Sequence, residues 1–266
     1  MSDLEPDSLS DASDGGREMR DNRFYWSRSY VARMRRELGH DACRKLAIFD
    51  LPENFTLSVV VPVFNESGTV ASVVERLKDT GLPMQIILVD DGSKDGTFEA
   101  MSSFANERGI LVIAHERNLG KGAAIRTGFA RATGDIVVIQ DADREYDPSD
   151  FRYLLQPLIG GEADVAYGTR YGHYDRQLSP WWHQAVNALI SSLASIAIGI
   201  RLSDVETCYK MVPREHLSKI LPDLQENRFG IEIELTARLS RQGLRFTERP
   251  IRYQHRWYDE GKKIGW

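Results

Sequence analysis

The sequence predicts an α/β fold in which a mainly parallel central sheet is covered by helices on both faces. Short runs rich in β-branched residues alternate with segments of helical period from residue 57 onward. The strand runs are apolar throughout rather than alternating, which is typical of strands buried on both faces of a sheet. The length of 266 residues and a hydrophobic content of 42% fit one large domain with appendages. The formal net charge of −5 disfavours a general nucleic-acid-binding protein, whose surface is usually basic.

Five predicted strands and their helices follow one another from Leu57. The strands are LSVVVPVF, QIILVD, ILVIAH, DIVVIQ and DVAYGTR. The segments between them carry helix caps and helical period; they are NESGTVASVVERLKDTG, DGSKDGTFEAMSSFANERG, NLGKGAAIRTGFARATG and DPSDFRYLLQPLIGG. After Gly172 this rhythm breaks. There we predict helices in SPWWHQAVNALISSLASIAIGI, PREHLSKIL and GIEIELTARLSRQG, and strands in CYKMVP and LRFTERPIRY. No linker separates the two parts, so the second extends the same domain.

The N-terminal region differs in composition from the rest of the chain. Residues 1–21 are polar and acidic, which predicts a disordered tail. Residues 22–54 are basic and aromatic with helical period, and we interpret them as a helical appendage. That appendage either packs on the main domain or contacts a membrane surface or a partner. Residues 55–266 form the predicted single domain, with a first part over about 55–170 and a second part over about 171–266.

No predicted segment is long enough to span a bilayer. The longest near-apolar run, residues 188–200, falls short of the ~20 residues that a spanning helix needs. The N-terminus has no apolar core, so we expect neither a signal peptide nor a transit peptide. Cys43 and Cys208 lack metal-ligand spacing, and we expect two free thiols in a reducing compartment. We therefore expect a cytoplasmic protein, with a peripheral position at the cytosolic face of a membrane left open.

Acidic residues follow directly after the fourth predicted strand, in VVIQDADREYDPSD. Asp141 and Asp143 are two positions apart on an extended chain, so their side chains point to the same side. They lie at the carboxyl end of a strand, which is the edge where open parallel sheets bind ligands. Two carboxylates so close together repel each other and favour a cation between them. Such oxygen ligands suit Mg²⁺ or Mn²⁺ brought in with a diphosphate, and a solvated acidic loop is the alternative.

Polar residues also follow the other strands. Asp91 closes the second strand, where a carboxylate can accept hydrogen bonds from ribose hydroxyls or a base N–H. The remaining polar residues of that turn fit cap chemistry: Ser93, Asp95 and Thr97. Lys121 stands between two glycines at a helix start, which suits either a bound phosphate or a structural turn. Pro62 has no N–H to donate and predicts a departure from regular pairing at the end of the first strand.

Taken together, VVVPVFNES, VDDGSKDGT, NLGKGAAIRTG and DAD resemble the family 2 glycosyltransferases with the GT-A fold. The resemblance runs from about Leu57 to the end of the chain. It implies a nucleotide-sugar half over about 55–170 and an acceptor half over about 171–266. It is closest to polyprenol-phosphate (dolichol-phosphate) mannosyl- and glucosyltransferases, through DADREYDPSD, GTRY, DVETCYKMVP and FGIEIELTARLSRQGLRFTERPIRY followed by RWYDEGKKIGW. It implies a Rossmann-like nucleotide-binding fold and inverting transfer of a hexose from a GDP- or UDP-linked sugar to a polyprenyl phosphate. It also implies Mg²⁺ or Mn²⁺ as the cofactor.

The resemblance further implies roles for individual residues. The nucleotide pocket would be lined by Pro62, Phe64, Glu66, Val89 and Asp91. The sugar diphosphate and its metal would contact Asp141, Ala142 and Asp143, with Glu145 as a further metal ligand. The phosphates would face Arg170, Arg256, Lys262 and Lys263. Two departures from the family pattern concern the ligands: Phe64 stands where Tyr is frequent, and SPWWHQAVN lacks the basic residue that often opens the acceptor helix.

The sequence also suggests how the transfer would proceed. A metal ion and basic side chains would neutralise the charge that grows on the departing nucleoside diphosphate. A lipid phosphate is already anionic near pH 7 and needs no strong base, whereas a hydroxyl acceptor needs a carboxylate base. Glu232 and Glu234 lie two positions apart on one predicted helix, so only one can face the cleft, and the resemblance favours Glu232. The predicted catalytic residues are Asp141, Asp143, Glu232 and Arg256.

Two further segments have more than one interpretation. The basic C-terminal segment ends at GKKIGW, where a longer protein could continue, and contains Gly261 and Gly265. It would form a lid over bound phosphates, contact anionic lipid or stay solvated. Trp181 and Trp182 precede the run at 188–200, which fits a bilayer interface, a buried helix or a dimer contact. The sequence therefore leaves open whether the protein forms a homo-oligomer.

Other functions are weighed against the same residues. A soluble family 2 glycosyltransferase with a small-molecule or glycan hydroxyl acceptor is the first alternative, and a sugar-nucleotide-binding protein without turnover is the second. A nucleotidyltransferase is disfavoured because VPVFNES lacks a Gly-rich basic loop. A processive polysaccharide synthase is disfavoured because QHRW is one residue short of the Gln-x-x-Arg-Trp element.

Overall fold

The computed structural model describes residues 27–171, 189–193, 195–196 and 198–255. The chain divides into two compact units, residues 1–53 and 54–266. The predicted acidic tail, residues 1–21, lies outside the described part of the chain. The division of the sequence into tail, appendage and domain stays a prediction.

The described residues of the first unit, 27–53, contain two short helices, α1 (Arg28–Leu38) and α2 (His40–Lys45). Helix α1 begins at Ser27, whose hydroxyl accepts a hydrogen bond from the backbone N–H of Tyr30. The two helices bury a small core formed by Val31, Cys43 and Ile48. This unit therefore has apolar contacts of its own.

The second unit contains a seven-stranded sheet. Its strands are β1 (Leu57–Val63), β2 (Met84–Asp90), β3 (Ile110–Ala114), β4 (Ile136–Ile139), β5 (Val165–Thr169), β6 (Lys210–Pro213) and β7 (Phe246–Pro250). The strand order is β3-β2-β1-β4-β6-β5-β7, and β6 alone runs against its two neighbours. The central strands β1, β4 and β5 are almost completely buried, whereas the edge strands β3 and β7 are partly exposed. The predicted α/β class with a mainly parallel sheet is confirmed.

Helices connect the strands as the periodicity indicates. They are α3 (Val70–Asp79), α4 (Thr97–Ser102), α5 (Lys121–Phe129), α6 (Phe151–Ile159), α7 (Arg214–Ile220) and α8 (Ile231–Ser240). Short 3₁₀ turns cover Pro148–Asp150 and Leu221–Asp223. Residues 189–193, 195–196 and 198 are also helical. Asp147 caps the first 3₁₀ turn by accepting a bond from the Ser149 N–H, as its position before Pro148 predicts.

The sheet opens between β1 and β4 at its carboxyl edge. Strand β4 pairs with β1 from Leu57 to Val60, whereas β2 follows β1 in register as far as Val63. Pro62 therefore lies beyond the last paired residue of β4, where its missing N–H removes no hydrogen bond to that strand. Neighbouring strands whose connections leave in different directions form a crevice at this edge, and ligands bind there in open α/β sheets.

Two further observations concern the cysteines and the hydropathy of the helices. Cys43 and Cys208 are free cysteines, and both are buried. Within the described ranges, no helix combines the length and the apolar character that a bilayer crossing requires.

Helix α5 packs closely on β1, and this contact depends on a glycine. A Cβ added at Gly128 would collide with the side chain of Val60, which is fully buried in β1. We expect Gly128→Ala to lower the free energy of unfolding by about 1–3 kcal/mol, because the core has no room for another methyl group. Urea unfolding followed by circular dichroism measures this change.

Gly68→Ala is the matched control, because an added Cβ at Gly68 would have no atom within 4 Å. This control should change the stability by less than about 0.5 kcal/mol. Equal stability of the two variants would contradict the close packing of α5 on β1.

Candidate active site

The acidic residues after β4 form the centre of the candidate site. Asp141 and Asp143 are partly buried, and Ala142 between them is buried. Burial raises the pKa of the Asp143 carboxyl to about 8, and repulsion from Asp141 and Glu145 adds to the shift. Burial and the neighbouring carboxylates therefore disfavour the ionised form of Asp143.

Glu145 joins this cluster to the last described residues of the chain. One of its carboxylate oxygens accepts a hydrogen bond from the Tyr253 hydroxyl at 2.7 Å, and its backbone carbonyl accepts one from the Gln254 N–H at 2.8 Å. Tyr146 and Tyr253 also form an isolated antiparallel bridge. Residues 253–254 are thereby held beside the acidic strand end.

The same carboxylates are the candidates for a divalent metal. Among the described residues, no group of three or more acidic, His or Cys side chains is arranged to hold an ion by itself. Mg²⁺ is usually held by one or two carboxylates together with substrate phosphates rather than by a complete protein cage. Asp141 and Asp143 fit that mode, and burial together with repulsion from Asp141 and Glu145 raises the pKa of Asp143. A ligand role for Glu145 stays a prediction.

Lys121, the first residue of α5, lies between two of the predicted site carboxylates. Its ammonium is 2.8 Å from an oxygen of Asp141 and 2.8 Å from an oxygen of Glu232. Burial by itself disfavours the charged amine, but these two carboxylates raise the pKa of Lys121 well above its ordinary value. The lysine is thus a permanent cation inside the site.

Glu232 and Glu234 differ in the way that their spacing predicts. Glu232 is buried, and its second oxygen, Oε2, has no hydrogen-bond partner among the described residues. Glu234 accepts backbone hydrogen bonds from Gln225 and Glu226 and pairs with Arg238, so it fixes the loop before α8. Of the two acids, Glu232 is the one that reaches the Asp141 side of the site.

Asp91 has a structural task that the sequence did not indicate. Its carboxylate accepts hydrogen bonds from the backbone N–H groups of Leu119 and Gly120, at 2.9 and 2.8 Å. It is also 2.8 Å from Nδ1 of His115, whose Nε2 contacts Thr127. Asp91 therefore holds the loop that leads to Lys121, and the predicted contact with a nucleotide stays a prediction.

Arg170 is held rigidly by a buried acid. Its Nε and Nη2 donate to the two oxygens of Asp204, each at 2.7 Å, and its backbone N–H donates to the same carboxylate. The guanidinium lies 5.4 Å from the ring centroid of Tyr253, beside the Glu145 contact. A doubly bonded, mostly buried Arg is well suited to face an anion with its remaining donors.

The predicted nucleotide-pocket residues lie where β1 and β2 end. A cleft of about 760 Å³ is bordered there by Phe64, Asp90, Ser93, Lys94, His115 and Arg117, among others. Phe64 is partly exposed to it, whereas Val89 is completely buried. The carboxylate of Glu66 accepts a bond from the Thr69 hydroxyl at 2.7 Å and so stabilises the turn after β1. Pro62 lies in β1 itself.

Several predicted residues lie outside the described part of the chain. They are Trp181, Trp182, Arg256, Lys262 and Lys263. Their predicted contacts with lipid and phosphate stay predictions.

The structure adds site residues that the sequence did not single out. Asp204, Tyr253 and His115 each bind a predicted site residue directly. Asp204 lies in the segment DVETCYKMVP, which carries part of the family resemblance, but nothing in its spacing shows that it meets Arg170. Such pairings join positions 24 or more residues apart and become visible only in three dimensions.

Comparison with known proteins identifies the family of this architecture. Residues 58–221 match the model described as Glycosyl transferase family 2. The chain is 29% identical over 198 residues to an uncharacterized protein of Methanocaldococcus jannaschii, covering 73% of this chain and 79% of that protein. It is 31% identical over 183 residues to the undecaprenyl-phosphate 4-deoxy-4-formamido-L-arabinose transferase of Serratia proteamaculans. That match covers 66% of this chain and 54% of the transferase, so the chain spans about half of that relative's length.

Solved structures show the same fold. Glucosyl-3-phosphoglycerate synthase from Mycobacterium tuberculosis, in complex with Mn²⁺, UDP and phosphoglyceric acid, matches with a TM-score of 0.56 and 26% identity. The match covers 78% of this chain and 73% of that enzyme. TarS from S. aureus in complex with UDP matches with a TM-score of 0.54 and 18% identity, over 73% of this chain and 58% of TarS, and this supports the fold alone. The predicted GT-A fold is confirmed.

The raised pKa of Asp143 predicts a pH dependence of stability. The pKa rises from 3.8 to about 8 on folding, so the folded state binds this proton more tightly than the unfolded state. The contribution of Asp143 to the free energy of unfolding therefore falls as the pH rises from 3.8 to about 8. Without divalent metal, Asp143→Asn should flatten this part of the stability profile, as urea unfolding in EDTA at a series of pH values will show.

Asp223→Asn serves as the control, because the Asp223 side chain is largely exposed and lies 3.9 Å from Arg238. It should leave the slope of the profile unchanged. A wild-type slope in Asp143→Asn would mean that Asp143 titrates normally.

Proposed function

The chain belongs to glycosyl transferase family 2, and on that premise we propose that it is an inverting, metal-dependent transferase. It moves a hexose from a nucleotide sugar, GDP- or UDP-linked, to a polyprenyl-phosphate acceptor. The observation that carries the acceptor assignment is an exposed apolar stripe tied to the Arg170 side of the site. The name of the Serratia relative, an undecaprenyl-phosphate transferase, supports the same acceptor class.

The donor would lie across the carboxyl edge of the sheet. The nucleoside would occupy the cleft beside Phe64, and the diphosphate would meet Mg²⁺ or Mn²⁺ held by Asp141 and Asp143. The glucosyl-3-phosphoglycerate synthase was solved with Mn²⁺ and UDP, which supports this combination. When bound, the metal supplies positive charge for the departing diphosphate. Arg170, and by resemblance Arg256, Lys262 and Lys263, would face the phosphates.

The apolar stripe consists of Leu189, Leu193 and Ile196. Their side chains are 59%, 58% and 80% exposed, and their spacing of four and three residues puts them on one face of a helix. Such a face is costly in water unless it meets lipid or another apolar surface. A polyprenyl chain or the bilayer interface around it would cover this face, which makes the protein peripheral to the membrane.

Two hydrogen bonds, made by the adjacent residues Asp204 and Val205, connect the helix of the stripe with Arg170. The buried hydroxyl of Ser191, on the opposite side of the same helix, accepts a bond from the N–H of Val205 at 3.1 Å. Val205 follows Asp204, which binds Arg170. A lipid phosphate could therefore put its chain along the stripe and its charged head toward Arg170.

The chemistry of this acceptor matches the side chains available. A monoalkyl phosphate carries about −1.5 to −2 charge at pH 7, so its oxygen can attack without losing a proton to a base. The phosphate oxygen attacks the anomeric carbon from the face opposite the nucleotide. The bond from this carbon to the diphosphate then breaks and the configuration inverts. The residues of the chain orient the two substrates and neutralise charge.

A second candidate is transfer to a hydroxyl group of a small or glycan acceptor. Oε2 of Glu232 favours it, because a buried carboxylate oxygen without a partner can accept a proton from an attacking hydroxyl. The synthase from M. tuberculosis was solved with phosphoglyceric acid, a small acceptor. The two candidates differ in where the labelled sugar appears after reaction.

The test uses UDP- and GDP-hexoses with Mn²⁺ or Mg²⁺ and undecaprenyl phosphate in detergent micelles. We expect labelled hexose in the organic-extractable product, and Asp143→Asn should reduce the rate at least about 100-fold, because a ligand of the charge-neutralising metal is lost. Asp223→Asn should keep the wild-type rate. Full activity in Asp143→Asn would contradict the metal site, whereas label confined to water-soluble products would favour the second candidate.

The apolar stripe gives a separate prediction. We expect replacement of Leu189, Leu193 and Ile196 by Ser to raise KM for undecaprenyl phosphate in vesicles at least about tenfold, because about 1.5–3 kcal/mol is lost per apolar side chain that lipid no longer buries. Binding of UDP or GDP with Mn²⁺, measured by calorimetry, should not change. An unchanged KM for the lipid would show that this face does not contact it.

A further inference from the structure

The Gly-Lys-Gly sequence at residues 120–122 is explained by close packing. A Cβ added at Gly120 would collide with the backbone carbonyl of Asn227, and one added at Gly122 would collide with that of Glu226. Gly120 also has a φ of +105°, which disfavours residues with a side chain. The two glycines therefore let the start of α5 lie directly against the segment that precedes α8.

Hydrogen bonds fix this approach. The N–H of Ala123 donates to the carbonyl of Asn227 at 3.1 Å. Arg126, one turn further along α5, donates to the carbonyls of Leu224 and Glu226 and, at 2.6 Å, to the side chain of Asn227. The beginnings of α5 and α8 consequently form one rigid corner, with Lys121 on the first helix and Glu232 on the second.

This corner determines which groups the ammonium of Lys121 can reach. An ammonium group has three N–H donors, and two of them are directed at Asp141 and Glu232, each at 2.8 Å. The ring of Phe229 lies 5.8 Å from the same nitrogen. A donor phosphate would have to compete with two carboxylates for this cation.

We propose that Lys121 is a positioning residue and that it does not serve as a ligand of the donor phosphates. It holds Asp141, on the donor side, and Glu232 in one arrangement in which Oε2 of Glu232 has no hydrogen-bond partner among the described residues. This inference rests on the proposed function, because it assigns Asp141 to the metal, whereas Glu232 meets the acceptor only in the second candidate, transfer to a hydroxyl group. Without Lys121, the two carboxylates would repel each other and move apart.

The test compares Lys121→Met, Lys121→Arg and, as a control, Lys219→Met, which replaces an exposed lysine of α7. The first readout is Mn²⁺ binding without nucleotide, followed by the electron paramagnetic resonance signal of the free ion. It needs no sugar transfer, so it stays informative if the proposed function fails. Lys121→Met should bind Mn²⁺ at least about fivefold more tightly, because it removes a positive charge in contact with a proposed ligand.

The second readout separates positioning from phosphate binding. In Lys121→Met, the Kd of UDP or GDP with Mn²⁺ should change less than about threefold, while kcat at saturating donor falls about 100-fold because the carboxylates are misplaced. Lys121→Arg should recover at least about a tenth of the wild-type kcat, since a guanidinium can also bind two carboxylates. Lys219→Met should match the wild type in every measurement.

Two results would overturn the proposal. One is Mn²⁺ affinity that is the same in Lys121→Met and the wild type. The other is a Kd for the nucleoside diphosphate that rises more than about tenfold while kcat is kept, which is the behaviour of a phosphate ligand. Absence of sugar transfer in the wild type, with tighter Mn²⁺ binding in Lys121→Met, would reject the proposed function and retain the role of Lys121 toward Asp141.

Discussion

Repulsion between carboxylates is the constraint on which the site depends. Asp141, Asp143, Glu145 and Glu232 are brought to one region of the protein, and burial there raises the pKa of Asp143 to about 8. Charges in such a place are tolerated only when cations or hydrogen-bond donors meet them. Lys121 meets Asp141 and Glu232, and the Tyr253 hydroxyl meets Glu145. The remaining negative charge around Asp143 is what a divalent ion would neutralise.

The positions of the two cations of the site, Lys121 and Arg170, are each fixed by a further acidic residue. Asp91 holds the loop before Lys121, and Asp204 holds Arg170 by a doubly bonded, buried pair. These acids act on other protein groups, which leaves Lys121 and Arg170 in fixed directions. Preorganised charges of this kind need not be rearranged when charge develops on a substrate. The site is thus built from pairs in which one partner positions the other.

The sequence predicted more of the fold than of the site. Apolar strands separated by capped helices gave the class of the sheet and most of its elements, because burial on both faces has a direct signature in LSVVVPV and DIVVI. The acidic strand end was also visible, since Asp141 and Asp143 directly follow a buried strand. The antiparallel insertion of β6 was not visible, because strand order depends on contacts between distant segments. For the same reason the bonds of Asp91 to the 119–120 loop, of Asp204 to Arg170 and of Lys121 to Glu232 appear only in the folded chain.

The place of β6 in the sheet limits how the enzyme can move. This strand belongs to residues 171–266, the predicted acceptor half of the domain, yet it lies between β4 and β5 of residues 55–170 and is hydrogen-bonded to both. Strand β7, also from residues 171–266, pairs with β5 along five residues. Strands of the two halves alternate in one sheet, so the halves cannot move apart as rigid bodies unless hydrogen bonds of the sheet break. Opening or closing of the site is therefore confined to surface segments around a core that keeps its shape.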